Sequence, residues 1–156
     1  MNTHEQRMCE MQEELFSLSV DRYSCGSPFF IFKFMMSELA KELDNIDDPF
    51  NYISPNNAIT ILEKLYPSLL NTTAKKYPKK VIGWMGYIYR AWCIIKNKKS
   101  SEIYRVMKAD RMLSLYDVYH TFSPEYCVDA LEELIKEEEE PVDSYEFFKT
   151  FRESDN

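Results

Sequence analysis

The chain has 156 residues, of which 45% are hydrophobic and 15% aromatic, and a formal net charge of −7; this composition excludes a disordered chain and predicts one folded domain over residues 1–156. Only 3 glycines are present, which argues against a β-sandwich or β-barrel and against the Gly-rich loops that bind nucleotides. No apolar run reaches the roughly 18 residues of a membrane span, and the polar, acidic N-terminus does not resemble a secretory signal, so we expect a cytoplasmic protein.

The first third of the chain predicts two long helices. Glu5–Asp21 is the first, because acidic residues separate apolar residues that recur at helical spacing: Met8, Met11, Leu15 and Leu18. The second is expected to have Ser27 as its N-cap, followed by a proline, and to run to Asp44. Its start, PFFIFKF, is apolar nearly all round, so we expect this half to be deeply buried.

Prolines and serines mark where the later helices start. Ser54 with Pro55 and Ser123 with Pro124 have the pattern of an N-cap followed by a first helical residue, and Pro78 opens a central aromatic helix. The predicted helices after the first two are 55–67, 78–97, 102–108, 110–118, 124–140 and 144–151. The sequence therefore predicts an all-α fold, a single compact domain of about six to eight helices.

The two Ser-Pro helices also belong to a weak internal repeat. Residues 53–65 match residues 122–134 at a constant offset of 69. One interpretation is a pair of pseudo-repeated helix-loop-helix halves, 28–67 and 100–139, packed around the central helix. The other is a chance match between capping motifs that are common in helical proteins.

Charge is sorted along the sequence rather than mixed. Residues 1–74 carry 5 basic and 11 acidic side chains, residues 75–111 carry 11 and 2, and residues 112–156 carry 3 and 13. Basic and aromatic side chains together, as in 75–111, can bind single-stranded nucleic acid, which would make the protein a nucleic-acid-binding regulator. Against this, the net charge of −7 repels a polyanion. The alternatives are a protein-binding surface, or lysines that only favour helix ends beside aromatic core residues.

Residues that could support catalysis are few. Asp117 lies three residues before His120, so on a helix the two side chains would share a face. His120 could then act as a general base with the Asp117 carboxylate beside it. No nucleophile motif accompanies them, so His120 is expected instead to satisfy a helix C-terminus. Metal-site and nucleotide-site motifs are missing, and the cysteines form no C-x-x-C pair, which predicts reduced thiols in the core: Cys9, Cys25, Cys93 and Cys127. We therefore expect neither an enzyme nor a bound metal or cofactor.

Four segments resemble a family of short bacterial helical proteins: FMMSELAKELD at 34–44, GYIYRAW at 86–92, SSEIYRVM at 100–107 and YHTFSPEYCVDAL at 119–131. Members carry a G-Y-[IL]-Y-R-x-W helix, then S-S-K-x-I-Y and Y-H-x-x-[DS]-P-E-x-A-[IV]. They are similar to antitoxins encoded beside small toxin-like proteins, including ones similar to ADP-ribosyltransferases. The chain departs from the pattern at Ala91 and Cys93, where bulkier or more polar residues are usual. It also departs at 97–99, where a glycine-containing turn is common. The resemblance covers about residues 30–135 and implies a non-catalytic inhibitor that neutralises a partner protein, such as a cognate toxin, by binding it.

The same segments contain the candidates for binding this partner, because aromatic and arginine side chains anchor many interfaces. Tyr89 and Arg90 lead the set, since the other side of their helix, which includes Ile88, must be core. The candidate partner-binding residues are Tyr87, Tyr89, Arg90, Arg105, Lys108, Tyr119 and His120. For Arg90 an alternative is equally open, a buried structural arginine paired with Asp110 or Asp117.

Overall fold

The computed structural model describes residues 1–45, 48 and 52–139, and this part of the chain is helical with no β-strand. Its elements are α1 (Thr3–Arg22), α2 (Ser27–Met35), α3 (Glu38–Leu43), α4 (Pro55–Leu65), a 3-10 helix (Pro67–Leu70), α5 (Lys79–Lys96), α6 (Ser100–Val106), α7 (Ala109–Ser114), α8 (Tyr116–Tyr119) and α9 (Pro124–Glu139). The predicted all-α fold is confirmed, and the helices pack into a single compact domain around one hydrophobic core. The predicted helix at 144–151 lies outside the described residues. Across the described helices, none combines the length and the hydropathy of a membrane span.

Helices α1 and α5 form the centre of the fold. They run antiparallel, because Gln12 contacts Gly86 whereas Ser17, further along α1, contacts Lys79, nearer the start of α5. A Cβ atom on Gly86 would lie 2.5 Å from the Gln12 carbonyl oxygen, and one on Gly83 would lie 2.6 Å from Ser17 Oγ. The two helices can approach this closely because α5 carries no side chain at these two positions.

The long helix predicted over 28–44 is interrupted, so the prediction of one continuous helix is wrong. Ser37 lies at the break. Its hydroxyl donates to the Phe34 carbonyl oxygen at 2.6 Å and accepts from the Ala40 N–H at 3.0 Å. Ser37 therefore satisfies the end of α2 and caps the start of α3. The helix breaks at this serine although the apolar periodicity of the sequence continues on both sides of it.

The start of α2 also differs from the prediction. Gly26 is the N-cap rather than Ser27, whose hydroxyl instead accepts a hydrogen bond from the Tyr77 N–H at 2.8 Å. Phe30 is buried as expected, but Phe32 is 41% exposed. A helix that lies at the surface exposes one side even when its sequence is apolar all round.

The predicted helix starts at Ser54 and Ser123 are confirmed, whereas the helix predicted over 110–118 is divided into α7 and α8. Ser54 Oγ accepts from the Asn57 N–H at 3.3 Å and Ser123 Oγ from the Tyr126 N–H at 3.2 Å, so both serines cap their helices. Helix α5 ends at Lys96, and its C-cap Asn97 has a φ of 50°, the left-handed conformation that glycine commonly supplies after a helix. The turn after α5 therefore forms without the glycine of the family pattern.

The packing of the two Ser-Pro helices is compatible with an internal repeat. Helix α4 packs on α1 and α9 packs on α5, while α1 and α5 pack on each other. The buried faces of α4 and α9 use positions that are 69 residues apart: Ala58 and Cys127, Ile59 and Val128, Leu62 and Leu131. The duplication of 28–67 and 100–139 stays a prediction. If it holds, these contacts extend it, because α1 and α5 would then be equivalent helices of the two halves.

Candidate partner-binding surface

Tyr89 and Arg90, which lead the predicted partner-binding set, are both completely buried. The Tyr89 hydroxyl donates to the Met107 carbonyl oxygen at 2.7 Å, and burial raises its pKa well above the ordinary value. Helix α5 is covered by α1, α6, α7 and α9, so little of its circumference is left for a partner. The structure therefore removes these two residues from the candidate surface. Neither Asp110 nor Asp117 is the carboxylate partner of Arg90.

Arg90 is the centre of a polar network that joins distant parts of the chain. Its guanidinium donates to Gln12 Oε1 at 2.9 Å, to Asp44 Oδ1 at 2.7 Å and to Ser100 Oγ at 3.3 Å. Ser100 donates to the Asp44 carboxylate through its N–H at 2.9 Å and through its hydroxyl at 2.6 Å. All groups of the network are satisfied inside the protein, so the arginine has a structural role.

Part of the positive charge of the basic segment 75–111 is neutralised by the acidic segments that flank it. Five of its 11 cations pair with carboxylates from outside the segment: Lys79 with Asp21, Arg90 with Asp44, Lys96 with Asp129, Lys98 with Glu132 and Arg111 with Glu138. The sorted charge of the sequence is thus in part an internal complementarity between the basic segment and its acidic neighbours. It leaves less positive charge for a polyanion, which weakens the support for nucleic-acid binding through this segment.

Six aromatic rings on α5, on α8, in the turn after α8 and at the start of α9 form two groups of three rings in contact. We call the two groups together the aromatic surface: Trp84, Tyr116, Tyr119, His120, Phe122 and Tyr126. The first group consists of Trp84 on α5, Tyr116 on α8 and His120 directly after α8. Tyr116 meets Trp84 edge to face, with 5.5 Å between the ring centroids, and stacks on His120 at 4.3 Å. Such pairs stabilise each other beyond the area that they bury.

The second run of rings continues from α8 into α9. Phe122 contacts Tyr119 at 5.9 Å and Tyr126 at 4.9 Å between ring centroids. Tyr119 and His120 are consecutive residues, but no ring of this run contacts a ring of the first run in the described part of the chain. Phe122 is 41% and Tyr126 59% exposed, which leaves a patch of large side chains open to solvent.

A groove of about 490 Å³ opens beside Trp84 and Tyr116. Its other lining residues are Glu13, Ser17, Lys79, Lys80 and Gly83. Burial, followed by the neighbouring charge of Glu10, raises the pKa of Glu13. Lys80 is exposed and makes no ion pair with any residue in the described ranges. The groove therefore offers one carboxylate and one free ammonium group next to aromatic rings.

The remaining predicted residues do not form one continuous site. Tyr119 and His120 belong to the aromatic surface, and Tyr87 is half-buried on α5, where burial raises the pKa of its hydroxyl to about 12. Arg105 is exposed at a second concavity, which is lined by α3 and α6 among others. Lys108 is exposed before α7 and lines neither concavity.

His120 and Asp117 do not form the acid–base pair that the enzyme hypothesis requires. Both side chains are exposed and no hydrogen bond joins them. His120 Nδ1 instead donates to the Tyr116 carbonyl oxygen at 2.8 Å, so the imidazole satisfies the end of a short helix, as expected. Within the described ranges, no group of His, Cys, Asp and Glu is arranged to hold a metal ion.

All four cysteines are free and buried, as the sequence predicts. Burial raises the pKa of the Cys9 and Cys127 thiols to about 12 and that of the Cys93 thiol to about 11. Because the thiolate is the reactive form, these thiols are poor nucleophiles near neutral pH.

Most of the aromatic surface is missing from the sequence-based set, namely Trp84, Tyr116, Phe122 and Tyr126. Part of the signal was available, because Tyr116 and His120, like Phe122 and Tyr126, are four residues apart, a spacing that places two rings on one side of a helix. The contact between Trp84 and Tyr116 was not available, since it joins two helices that are distant in sequence.

Comparison of this chain with protein-family models, with curated proteins and with solved structures finds no match. The resemblance to antitoxin-like proteins therefore stays a prediction, and the functional argument rests on the geometry of the aromatic surface.

Proposed function

We propose that this protein is a non-catalytic interaction protein, an antitoxin-like inhibitor that binds and neutralises a partner protein through the aromatic surface. The observation that carries the proposal is the run of contacting rings from Tyr119 through Phe122 to Tyr126, in which Phe122 and Tyr126 are exposed to solvent. Contiguous exposed apolar surface is typical of protein-binding sites. Tyr and Trp are also enriched among the residues that dominate binding energy.

The rings are held in place before a partner arrives. Trp84 and Tyr119 pack against the hydrophobic core, and Tyr116 lies between Trp84 and His120. Aromatic side chains have few rotatable bonds, and neighbours that already restrain them reduce the entropy lost on binding. The groove beside Trp84 supplies Glu13 and a lysine, which can select a partner by charge.

The test is co-expression with the product of the neighbouring gene, which the proposal predicts to be a toxin-like protein. We expect the two proteins to co-purify and the growth inhibition caused by the toxin-like protein to be relieved. The double variant Phe122→Ser/Tyr126→Ser should weaken the complex by about a hundredfold or more, because two exposed anchors are lost. Its circular dichroism and melting temperature should stay close to those of the wild type, since neither side chain is buried.

The matched control is Leu65→Ser/Leu70→Ser, which removes two apolar side chains of similar exposure outside the aromatic surface. This control should bind as the wild type does. If the growth inhibition caused by the toxin-like protein persisted in the presence of the wild-type protein, the proposal would be contradicted. Equal loss of binding in the two double variants would show that the aromatic surface has no special role.

A further inference from the structure

A second concavity, of about 260 Å³, lies where the junction of α2 and α3 meets α6. It shares no lining residue with the groove beside the aromatic surface. Three cationic side chains surround it, Lys41 on α3, Lys99 directly before α6 and Arg105 on α6. Met36 adds an apolar side chain to the same lining.

The three cations are exposed and make no ion pair with any residue that the structure describes. Two carboxylates also line the concavity, but Asp44 is occupied by Arg90 at 2.7 Å, and Glu38 lies beyond ion-pair distance of the described cations. Elsewhere in 75–111 five cations are neutralised by carboxylates of the chain itself. The chain has 26 acidic and 19 basic side chains, so this concavity is a local excess of positive charge in an acidic protein. The three cations repel one another, and the fold does not depend on them for an ion pair.

Apolar surface continues from the concavity along α2. Met36 is 38% exposed, and Phe32, four residues earlier on the same side of the helix, is 41% exposed and contacts Tyr104 of α6 at 5.7 Å. Positive charge beside exposed apolar side chains is complementary to an acidic peptide that carries apolar residues. The net charge of −7 opposes any polyanion, so we prefer an acidic peptide to a nucleic acid because its apolar side chains can pack on the exposed Phe32 and Met36.

We propose that Phe32, Met36, Lys41, Lys99 and Arg105 form a docking surface for an acidic segment of a protein partner. Carboxylates of that segment would contact the three cations, and an apolar side chain would pack on Met36 and Phe32. The planar guanidinium of Arg105 can bind a carboxylate through two hydrogen bonds, while the lysines supply point charges. The inference rests on the proposed function, because both hold that the chain acts by binding a protein. It adds that the bound segment of the partner is acidic.

The experiment measures binding of a fluorescein-labelled peptide of alternating Glu and Leu to the full chain by fluorescence anisotropy. We expect saturable binding that Lys41→Gln/Lys99→Gln/Arg105→Gln weakens about tenfold or more. The melting temperature of this triple variant should stay the same or rise, because it relieves repulsion between like charges. A lower melting temperature together with unchanged binding would show a structural role and overturn the proposal.

The matched control is Lys64→Gln/Lys75→Gln/Lys136→Gln, which removes three exposed positive charges elsewhere and should change the affinity by less than about twofold. Equal weakening in both triple variants, or no peptide binding at low salt, would overturn the proposal. Full competition by oligothymidylate would also overturn it, because the site would then be a nucleic-acid site. The variant Phe122→Ser/Tyr126→Ser should keep peptide binding, so this assay and the co-expression assay can fail independently.

Discussion

Trp92 illustrates how one buried polar atom is satisfied in this core. The indole is completely buried, and its Nε1–H donates to Glu132 Oε1 at 2.6 Å. Lys98 Nζ donates to the same oxygen at 3.0 Å. Burial raises the pKa of the Glu132 carboxyl, but the hydrogen bonds from Trp92 and Lys98 outweigh it, so the net shift is downward. One carboxylate of α9 thus serves two donors of α5 and of the turn after it.

Replacing Glu132 should therefore destabilise the fold in a pH-dependent way. We expect Glu132→Leu to lower the free energy of unfolding by about 2 kcal/mol at pH 7, because the indole N–H is left without an acceptor. A carboxyl with a lowered folded-state pKa stabilises the protein above its ordinary pKa, which is 4.5, and loses this contribution as the pH falls through the folded value. The difference between variant and wild type, measured by urea unfolding, should hence shrink as the pH falls below 4.5.

Two further variants separate the charge of Glu132 from its shape. Glu132→Gln keeps an acceptor for Trp92 and should cost less than Glu132→Leu, about 1 kcal/mol. Glu133→Gln changes an exposed neighbour, which is 68% exposed, and should be close to neutral. A loss for Glu132→Leu that is the same at pH 7 and pH 3 would contradict the role of the ionised carboxylate.

At the scale of the helices, short polar contacts decide where an element ends and small residues decide how closely two elements pack. Ser37 divides a segment whose apolar pattern continues without interruption. Gly83 and Gly86 let α5 approach α1, but the atoms that face them differ: Gly86 faces the Gln12 backbone and Gly83 the Ser17 hydroxyl. A backbone atom in a packed helix cannot move aside, whereas a side-chain hydroxyl can rotate.

The two glycines should respond differently to alanine. We expect Gly86→Ala to lower the free energy of unfolding by about 2 kcal/mol or more, because its Cβ would lie 2.5 Å from the Gln12 carbonyl oxygen. Gly83→Ala should lie within about 1 kcal/mol of the wild type, since the helix propensity of alanine offsets a shift of Ser17. Chemical denaturation of the two variants provides the measurement. Equal stability of the two would mean that α1 and α5 do not pack as closely as described.

At the scale of the whole molecule, charge complementarity holds distant segments together. The Arg90 network connects α1 through Gln12, the end of α3 through Asp44, and the start of α6 through Ser100. At the surface, Lys96 pairs with Asp129 and so connects α5 to α9. The buried network is the stronger constraint, because a charge left unpaired in the interior is far more costly than one at the surface.

Loss of Arg90 should accordingly be severe. We expect Arg90→Met to lower the free energy of unfolding by about 3–5 kcal/mol, since Asp44 would lose its cation in a largely buried site. The double variant Arg90→Met/Asp44→Asn should recover part of this loss. Arg111→Met, which breaks the exposed pair with Glu138, is the control and should cost about 0–1 kcal/mol. Thermal and urea unfolding of the three variants test this, and similar costs for Arg90→Met and Arg111→Met would refute it.

Local pattern was sufficient for the all-α class, for the caps at Ser54 and Ser123 and for the end of α5 just before Asn97. Periodicity, capping and the turn after a helix depend on residues within a few positions of one another, so they can be read from the linear chain. The same holds for the burial of the cysteines, which follows from their usual preference.

The site depended on contacts that the linear chain does not contain. Arg90 is surrounded by residues 46 and 78 positions away, which made it core rather than surface. The aromatic surface depends on a contact between Trp84 of α5 and Tyr116 of α8. The second concavity, with its three cations, depends on Lys41 and Arg105 lining the same space. Which side of a helix faces solvent is set by the helices that pack against it, and that packing is a property of the assembled fold.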